Sequence, residues 1–502
     1  MYHFNTSSPP PHPLKKPEYD CAVTTENLKN VFDRCGDFEM RRIDLGLAHE
    51  LSAHVCWLDG LVSGAEIAEG VLRPLTERSR AGAKSAEDWV LLIQSGGVYS
   101  YSVKRRDTMD ELLQDLTHGH CALIFDSLCL ALSFETKSAQ VRTVSEPTLE
   151  KSLKGAKDSF VEVLRTNTAL VRRRICSPKL KSVESRVGRK SSTQVALLFV
   201  DGVADPALVE ELARRLDAMD VDALLATGAL EEAITDAPRS PFPQVLHTER
   251  PDRFAMYLLD GRVGLLVDGL PVALVLPASF PEFMKVTSDR TTNYLISSVL
   301  SVLRYFALLL GLFFPALYVA MAMYHQEMIP TRLLLSIIEA KQNVPFSTAL
   351  EVIGMLIAFT MLQEAGLRLP NPIGDTVSII GALIVGQSAV EAQVVSPIAI
   401  IVVAAAGIAC YTLPSQDLSS AVRLACFVML LCAAAAGLFG IGVFSCLLLL
   451  HLASIDSFGR SYTAPLSEGR RGGLFRVLFR RPESKVKFRD PTLNTPDKRR
   501  QK

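Results

Sequence analysis

Motifs for catalysis and nucleotide binding are missing from this sequence. It contains no Walker loop, no G-x-G-x-x-G run, no nucleophile elbow and no His-Glu-x-x-His pair. No set of acids, histidines or cysteines has the spacing of a catalytic dyad. These absences leave ATP-driven transport and membrane-anchored hydrolysis without support. We therefore expect no enzyme activity and no bound cofactor.

Paired metal-ligand spacings are missing as well. None of the ten cysteines forms a C-x-x-C pair, and four of them fall in apolar blocks, which is typical of small buried side chains in a reducing compartment. The four are Cys410, Cys426, Cys432 and Cys446. His118 and His120 could ligate a metal, but no third ligand follows at a suitable spacing. We expect loop histidines, no disulfide framework and no metal site.

A secretory signal is the third absence. The first 20 residues carry five prolines and have no apolar core, so they do not have the form of a signal peptide. The part of the chain that precedes the first apolar block should then stay in the cytosol. Residues 1–24 are Pro-rich and polar, and we predict that they are disordered.

Long uncharged runs divide the chain in two. Residues 305–324 carry no charge, and about 20 apolar residues suffice to cross the hydrocarbon of a bilayer. About 300 mixed residues precede this run, and further apolar blocks follow it. The predicted fold class is a tandem pair of cytosolic α/β subdomains followed by an all-α polytopic membrane domain.

Charge is unevenly distributed although the net charge is zero. From residue 460 to the end there are thirteen Lys or Arg against four Asp or Glu, a net charge of +9. Because a basic segment after the last apolar block favours the cytoplasmic side, we predict a cytoplasmic C-terminus. Residues 474–481 mix apolar and cationic side chains, which is typical of a segment that lies on an anionic leaflet.

A tandem repeat organises the first half. Asp59-Gly60-Leu61 recurs as Asp201-Gly202-Val203, and Gly119, Asp126, Ala131 and Leu132 recur as Gly261, Asp268, Ala273 and Leu274, each time 142 residues later. Each copy begins with an apolar run that ends in an Asp-Gly turn, followed by a helix and a pair of strands.

The second copy shows these signals most clearly. Asp205 can cap a helix with Pro206 at its first position, and residues 261–277 have the pattern of paired strands. The apolar face of this helix is formed by Leu208, Val209, Leu212 and Leu216. The predicted domains are a disordered segment 1–24, subdomains 25–150 and 151–290, a membrane helical domain 291–458 and a basic cytoplasmic tail 459–502.

Two polar segments of the first half need an interpretation. Residues 172–190 hold eight basic residues and one acid, without interleaved aromatics, so we predict a solvated segment between the subdomains and no nucleic-acid partner. Residues 248–253 are a dense polar cluster in which Arg250 and Asp252 are candidate interdomain residues. Anion binding is one interpretation, and we favour helix capping with a local ion pair.

Four apolar blocks follow the first one, at residues 352–362, 376–390, 394–412 and 424–450. If both termini are cytoplasmic, the number of crossings is even. We predict four crossings, formed by the first block and the last three, with 352–362 as a re-entrant or partly buried helix. Five crossings is the main alternative.

Polar side chains near membrane depth are candidates for signalling, because burying them is costly. Those in this sequence are Glu351, Glu364, Gln387 and Glu391. The alternative for each residue is a position at the membrane interface, where a carboxylate stays hydrated and costs little free energy.

Seven runs point to a family: 164–171 (LRTNTALV), 199–204 (FVDGVA), 248–269, 327–331 (EMIPT), 381–387 (GALIVGQ), 395–397 (VSP) and 451–454 (HLAS). Together they resemble the A-subunit family of spore germinant receptors, the GerA-type spore germination proteins, over about residues 25–466. One departure is that Leu356 and Thr360 stand where many members have acids.

The resemblance implies an integral protein of the spore inner membrane that senses nutrients and triggers cation release. It implies a transporter-like B subunit and a lipoprotein C subunit as partners, contact with membrane lipid, and a homo-oligomer that forms a channel-like component. A stage V sporulation A-F type accessory protein is the alternative within the same fold. A secondary transporter is a weaker alternative, because the repeats lie only in the soluble half.

Overall fold

The structure, a computed structural model, describes residues 18–45, 51–78, 85–97, 102–137, 154–368, 386–466 and 473–501, together with residues 147 and 150. Most of the predicted disordered segment 1–24 and most of the apolar block 376–390 lie outside this range. The chain divides into two compact units. The first contains residues 1–149, 157–226 and 248–273, and the second contains residues 150–156, 227–247 and 274–502.

In the part of the chain that the structure describes, ten strands form two five-stranded sheets with the same strand order. The first sheet has the order β1-β2-β4-β5-β3, and the second has the order β6-β7-β9-β10-β8. The strands are β1 Phe38–Leu45, β2 Leu51–Leu58, β3 Val103–Arg106, β4 His120–Phe125, β5 Leu130–Glu135, β6 Leu180–Val187, β7 Thr193–Val200, β8 Leu246–Thr248, β9 Val263–Val267 and β10 Ala273–Leu276. Strands β6 and β7 begin 142 residues after β1 and β2, which confirms the predicted tandem repeat.

Register and turns agree with this duplication. Phe38 lies opposite Leu58 in the first sheet and Leu180 lies opposite Val200 in the second, both in antiparallel pairs. The predicted Asp-Gly turns follow β2 and β7, where Gly60 has φ +85° and Gly202 has φ +76°. Glycine adopts these left-handed angles without the steric cost of a side chain.

Short helices precede, connect and follow the strands along the chain. They are Thr25–Val31, Gly64–Glu66, Ile67–Leu72, Arg73–Arg78, Ala86–Leu92, Met109–Thr117, Leu164–Arg174, Pro206–Asp217, Thr227–Ile234 and Pro251–Leu259. The Asp205 side chain accepts the N–H of Ala207 at 3.1 Å, and Pro206 is the first residue of its helix. All four residues of the predicted apolar face are buried, so this helix is confirmed in its start and its orientation.

The basic segment 172–190 contains the end of a helix and a strand, and six of its eight basic residues are exposed, as the solvated interpretation predicted, whereas Arg172 and Lys181 are buried. Arg172 lies in the last turn of helix Leu164–Arg174 and is 2% exposed. Residues 180–187 form β6, in which Leu180, Lys181 and Ser182 are buried. The burial of Arg172 and Lys181 was not predicted, because Arg and Lys are mostly exposed and are buried only where their charged groups find partners.

The second unit contains the apolar helices. Three helices among the described residues are long and apolar enough to cross a membrane: Tyr294–Met323, Thr348–Gly366 and Gln416–Ser454. Helix Pro397–Tyr411 is apolar but shorter, with 15 residues. The block 352–362 belongs to the 21-residue helix Thr348–Arg368, which has the length of a crossing. The number of crossings stays a prediction, because residues 369–385 are outside the described range.

The longest helix, Gln416–Ser454, folds back on itself at Gly437. Its backbone there has φ 61° and ψ −139°, which is not helical. In a straight helix Asp417 and His451 would lie about 51 Å apart. Yet Asp417 lies 3.4 Å from His247 and His451 lies 2.9 Å from Ser240, and residues 240–247 extend over about 25 Å at most.

Local geometry around Gly437 shows the same reversal. A Cβ added to Gly440 would lie 2.1 Å from the carbonyl oxygen of Cys432, eight residues earlier. The Tyr324 hydroxyl donates to the carbonyl oxygen of Ala434 at 2.6 Å and thereby satisfies an acceptor that the broken helix leaves free. The block 424–450, predicted to be one crossing, is therefore a helical hairpin.

Candidate functional site

A buried carboxylate lies among the apolar helices. Glu351 is in the first turn of helix Thr348–Arg368 and is 2% exposed. Its Oε2 accepts the backbone N–H of Ser396 at 3.0 Å. Its Oε1 lies 3.1 Å from the Nζ of Lys341. The carboxylate therefore has one neutral and one cationic partner.

The two partners belong to different helices. Ser396 is the N-cap of helix Pro397–Tyr411, where its Oγ accepts the N–H of Ala399. Lys341 is the last residue of helix Thr331–Lys341 and also donates to the hydroxyl of Thr348. Glu351 thus joins the beginning of one helix and the end of a second helix to its own helix.

Apolar side chains enclose this junction. The surrounding buried cluster includes Tyr318, Val319, Ile329, Ile337, Ala349, Val352, Val395 and Ala399. An ionised carboxylate in such surroundings loses much of its hydration, and only close partners offset that cost. The arrangement can hold three helix ends in one geometry, and it is sensitive to any movement that separates them.

The other predicted membrane residues do not share this burial. Glu364 is exposed on the helix that carries Glu351. Gln387 and Glu391 are exposed in residues 386–391, which are helical. A signalling role for these three residues stays a prediction.

Arg250 and Asp252 form a local ion pair in the first unit. The buried Arg250 is the N-cap of helix Pro251–Leu259. Its Nε and Nη2 donate to the two carboxylate oxygens of Asp252 at 3.0 and 2.7 Å. The local ion pair that we favoured is present, but the Arg250 side chain makes no capping hydrogen bond to the helix, and an interdomain role for the pair stays a prediction.

A buried ion pair that sequence reasoning missed joins the two copies of the repeat. The Nη2 of Arg172 donates to Asp37 Oδ1 at 2.7 Å, its Nε donates to Asp37 Oδ2, and its Nη1 donates to the carbonyl oxygen of Leu180 at 3.1 Å. Burial disfavours the charged guanidinium, but the Asp37 carboxylate outweighs this and raises the pKa of Arg172. No signal in the sequence links two residues that are 135 positions apart.

Neighbouring contacts extend this joint between the copies. Arg165 lies 3.1 Å from Asp59 of the first copy and 2.7 Å from Glu184 of the second. The backbone N–H of Gly36 donates to Ser182 at 2.8 Å, and the Nζ of Lys181 donates to the carbonyl oxygen of Val31 at 2.7 Å.

A second group that sequence reasoning missed surrounds His247. Its Nε2 lies 2.9 Å from Glu231, and its Nδ1 lies 3.4 Å from Asp417. Burial opposes the charge on the ring, but hydrogen bonds to Asp417 and Glu231 outweigh it and raise the pKa of His247 to about 9. Close by, Ser240 contacts His451 near the other end of the hairpin Gln416–Ser454.

Metal binding finds no support among the described residues. No group of three or more His, Cys, Asp or Glu in that part of the chain could hold a metal ion. The Nδ1 of His118 lies 2.6 Å from the carbonyl oxygen of Gln114, and the Nδ1 of His120 lies 3.2 Å from the hydroxyl of Ser133. Both histidines therefore have local hydrogen-bond partners.

Comparison with known proteins assigns the family. The family model described as "Bacillus/Clostridium GerA spore germination protein" matches residues 26–492. The chain belongs to the GerA spore germination protein family. The match covers the strands of both sheets and all the apolar helices described above.

Relatives of the GerA family align over nearly the whole chain. Spore germination protein KA of Bacillus subtilis is 34% identical, covering 92% of this chain and 86% of the relative. Spore germination protein GerLA of Bacillus cereus is 31% identical, covering 94% and 96%. The uncharacterized membrane protein YfkQ of Bacillus subtilis is 35% identical, covering 91% and 88%.

A solved structure is also similar to this chain. It is the crystal structure of the N-terminal domain of the A subunit of the Bacillus megaterium spore germinant receptor GerK3, with 29% identity and a TM-score of 0.40. The match covers 52% of this chain and 96% of that one. With its long apolar helices, this GerA family member is a membrane protein of spore germination.

Proposed function

We propose that this chain is the A subunit of a nutrient germinant receptor in the spore inner membrane, where it couples nutrient sensing to cation release and germination. The observation that carries the proposal is the family match over residues 26–492, which includes both the duplicated sheets and the apolar helices. A family match to the sheets alone, or to the apolar helices alone, would not have supported a function for the whole chain.

The proposal includes an assembly. The partners are a transporter-like B subunit and a lipoprotein C subunit, and further copies of this chain form an oligomeric, channel-like component. Both termini lie in the cytoplasm, and the net charge of +9 from residue 460 to the end supports that orientation. Catalysis has no part in this function.

Within this function, Glu351 is the residue most suited to transmit a signal. Its carboxylate joins the helices that carry Lys341 and Ser396, so a shift of either helix breaks a buried charge interaction. A buried ion pair is either formed or broken, because separating the partners leaves a buried charge without compensation, which costs several kcal/mol of free energy. Glu364, Gln387 and Glu391 are proposed as weaker contributors, because they are exposed.

The test is cation release from spores that carry or lack this gene, measured across a panel of nutrients. Loss of release in response to one nutrient class, with the response to the others intact, is the expected result. Spores that carry Glu351→Gln, with the protein present at its normal level, should release cations more slowly in response to the same nutrients.

Two other results would argue against the proposal. Uniformly slower release in response to every nutrient would favour an accessory protein of the stage V sporulation A-F type. If the other receptors are also deleted and loss of this gene still leaves cation release unchanged, the chain has no role in germination. That result would favour the secondary-transporter alternative.

A further inference from the structure

Three exposed phenylalanines lie on the surface of residues 473–489, which we call the tail surface. Phe475 is 68% exposed, Phe479 is 47% exposed and Phe488 is 69% exposed. The rings of Phe475 and Phe479 stack with their centroids 5.8 Å apart. An aromatic side chain is a large apolar group to leave in water, and exposed rings that lie together, as Phe475 and Phe479 do, mark an interaction surface.

Basic residues are interleaved with these rings. The tail surface holds six Lys or Arg and one acid, Glu483. Arg481, Lys485 and Lys487 are exposed, as are the phenylalanines. Apolar groups that alternate with cations are suited to the interface of an anionic bilayer, where the acyl chains are apolar and the lipid headgroups are negatively charged.

Hydrogen bonds hold the tail surface at the base of a membrane helix. The backbone N–H of Arg480 donates to the hydroxyl of Ser298 at 3.0 Å, and its guanidinium donates to the carbonyl oxygen of Asp289. Ser298 lies in helix Tyr294–Met323. The tail surface therefore has a fixed position relative to this helix.

That position is the edge of the hydrocarbon layer. Arg304 is the last charged residue before the uncharged run 305–324, and it forms an ion pair with Asp289, which also binds Arg480. Since about 20 residues cover the hydrocarbon, Arg304 marks its boundary. Exposed apolar side chains also continue along the first turns of the helix, at Leu295, Ile296 and Val299.

We propose that the tail surface binds the headgroup layer of anionic lipids, with Phe475, Phe479 and Phe488 entering the interface and Arg481, Lys485 and Lys487 contacting lipid phosphates. Apolar continuity with the membrane helix and the opposite charge of the lipid select the bilayer as the occupant. The proposal depends on the chain being embedded in a membrane and does not depend on its role in germination.

The experiment uses the full chain in nanodiscs, made either from zwitterionic lipid or with about a third anionic lipid. Phe475→Trp and Phe488→Trp each place a fluorescent probe, and lipids with brominated acyl chains quench a tryptophan that enters the interface. The native tryptophans, Trp57 and Trp89, give the background that is subtracted. Leu225→Trp is the matched control, because Leu225 is an exposed apolar residue without basic neighbours on either side.

We expect quenching of both tail probes, stronger in anionic discs and weakened by salt, and none of the Leu225 probe. Replacing Lys485 or Lys487 by Gln should lower the ratio of bound to free tail about fivefold each. Quenching that is equal in both lipids would overturn the headgroup contact. Absence of quenching would overturn the proposal. Hydrogen-exchange protection of the tail surface that depends on the number of copies per disc, and does not depend on the lipid, would also overturn it and would assign the surface to a second copy.

Discussion

At the scale of single residues, Arg172 is a buried charge with three hydrogen-bond contacts. Its guanidinium binds both oxygens of Asp37 and a backbone carbonyl, and both side chains are almost fully buried. A buried pair of this kind is weak evidence for added stability, because an apolar pair of the same size can be as stable. Removal of one partner is different, since the other charge stays buried without compensation.

Arg172→Met should therefore destabilise the first unit by about 3–5 kcal/mol, and adding Asp37→Leu should recover much of the loss. Thermal unfolding of the full chain in detergent, followed by the fluorescence of Trp57 and Trp89, measures both variants. Arg189→Met is the control, since the Arg189–Asp220 pair is exposed and should contribute at most about 1 kcal/mol. Equal losses for the Arg172 and Arg189 variants would contradict the structure.

Glu351 offers a parallel case in the second unit. Glu351→Ala removes the partner of Lys341 and the acceptor of the Ser396 N–H, so we expect a loss of about 3–5 kcal/mol. Heating the full chain with a thiol-reactive dye reports this, because Cys410 and Cys426 are buried in the helices and react on unfolding.

Glu391→Ala is the matched substitution for Glu351→Ala, since Glu391 is an exposed acid of the same unit. Its effect should stay within about 0.5 kcal/mol. A Glu351 variant that unfolds at the temperature of the Glu391 variant would show that the junction contributes nothing to stability.

Among the elements, the hairpin Gln416–Ser454 depends on one glycine. A side chain at Gly437 would have a positive φ and would lie 3.0–3.1 Å from atoms of Tyr324 and His325. We expect Gly437→Ala to destabilise the second unit by about 1–3 kcal/mol. Gly442→Ala, at a helical position with open space, should be neutral or stabilise by up to about 1 kcal/mol. The thiol-dye assay compares the two, and the reverse order would mean that the chain does not turn at Gly437.

Local elements were predictable from sequence, and contacts over long distances were not. The helix Pro206–Asp217 was predicted together with its cap and its buried face, because its signals all lie within twelve residues. The hairpin was missed because Gly437 stands in a run of small apolar residues, where a glycine also serves close helix packing. Glu351 could be selected as a candidate, but its partners Lys341 and Ser396 follow only from the fold.

For the whole molecule, the charge state of His247 bears on stability. Its pKa of about 9 in the folded chain lies above the ordinary 6.5, so folding favours its protonated form. The stabilisation is fully present below about pH 6.5 and is lost as the pH rises through about 9. The effect is about 1–3 kcal/mol.

Melting temperatures of the full chain and of His247→Asn, measured from pH 6 to about pH 10, test this. The difference in melting temperature between the full chain and His247→Asn should be largest near pH 6 and should disappear as the pH approaches about 10. His118→Asn, which changes an exposed histidine, should follow the unsubstituted chain throughout. A gap that widens toward alkaline pH would contradict the ion pairs of His247 with Glu231 and Asp417.

The joint between the two copies of the repeat has the form of a twofold dimer within one chain. Residues 31–37 of the first copy contact residues 172–182 of the second, which correspond to residues 30–40 once the offset of 142 is subtracted. Each copy therefore uses the same region of its surface, as in an isologous interface. A single-copy ancestor could have paired with itself through this region, and fusion of two genes would then have made the pairing permanent. Asp37 and Arg172 stand at positions 37 and 30 of the repeat, and the reciprocal positions of a twofold interface hold Lys179 and Asn30, which cannot form an ion pair, so this ion pair belongs to one half of the joint alone.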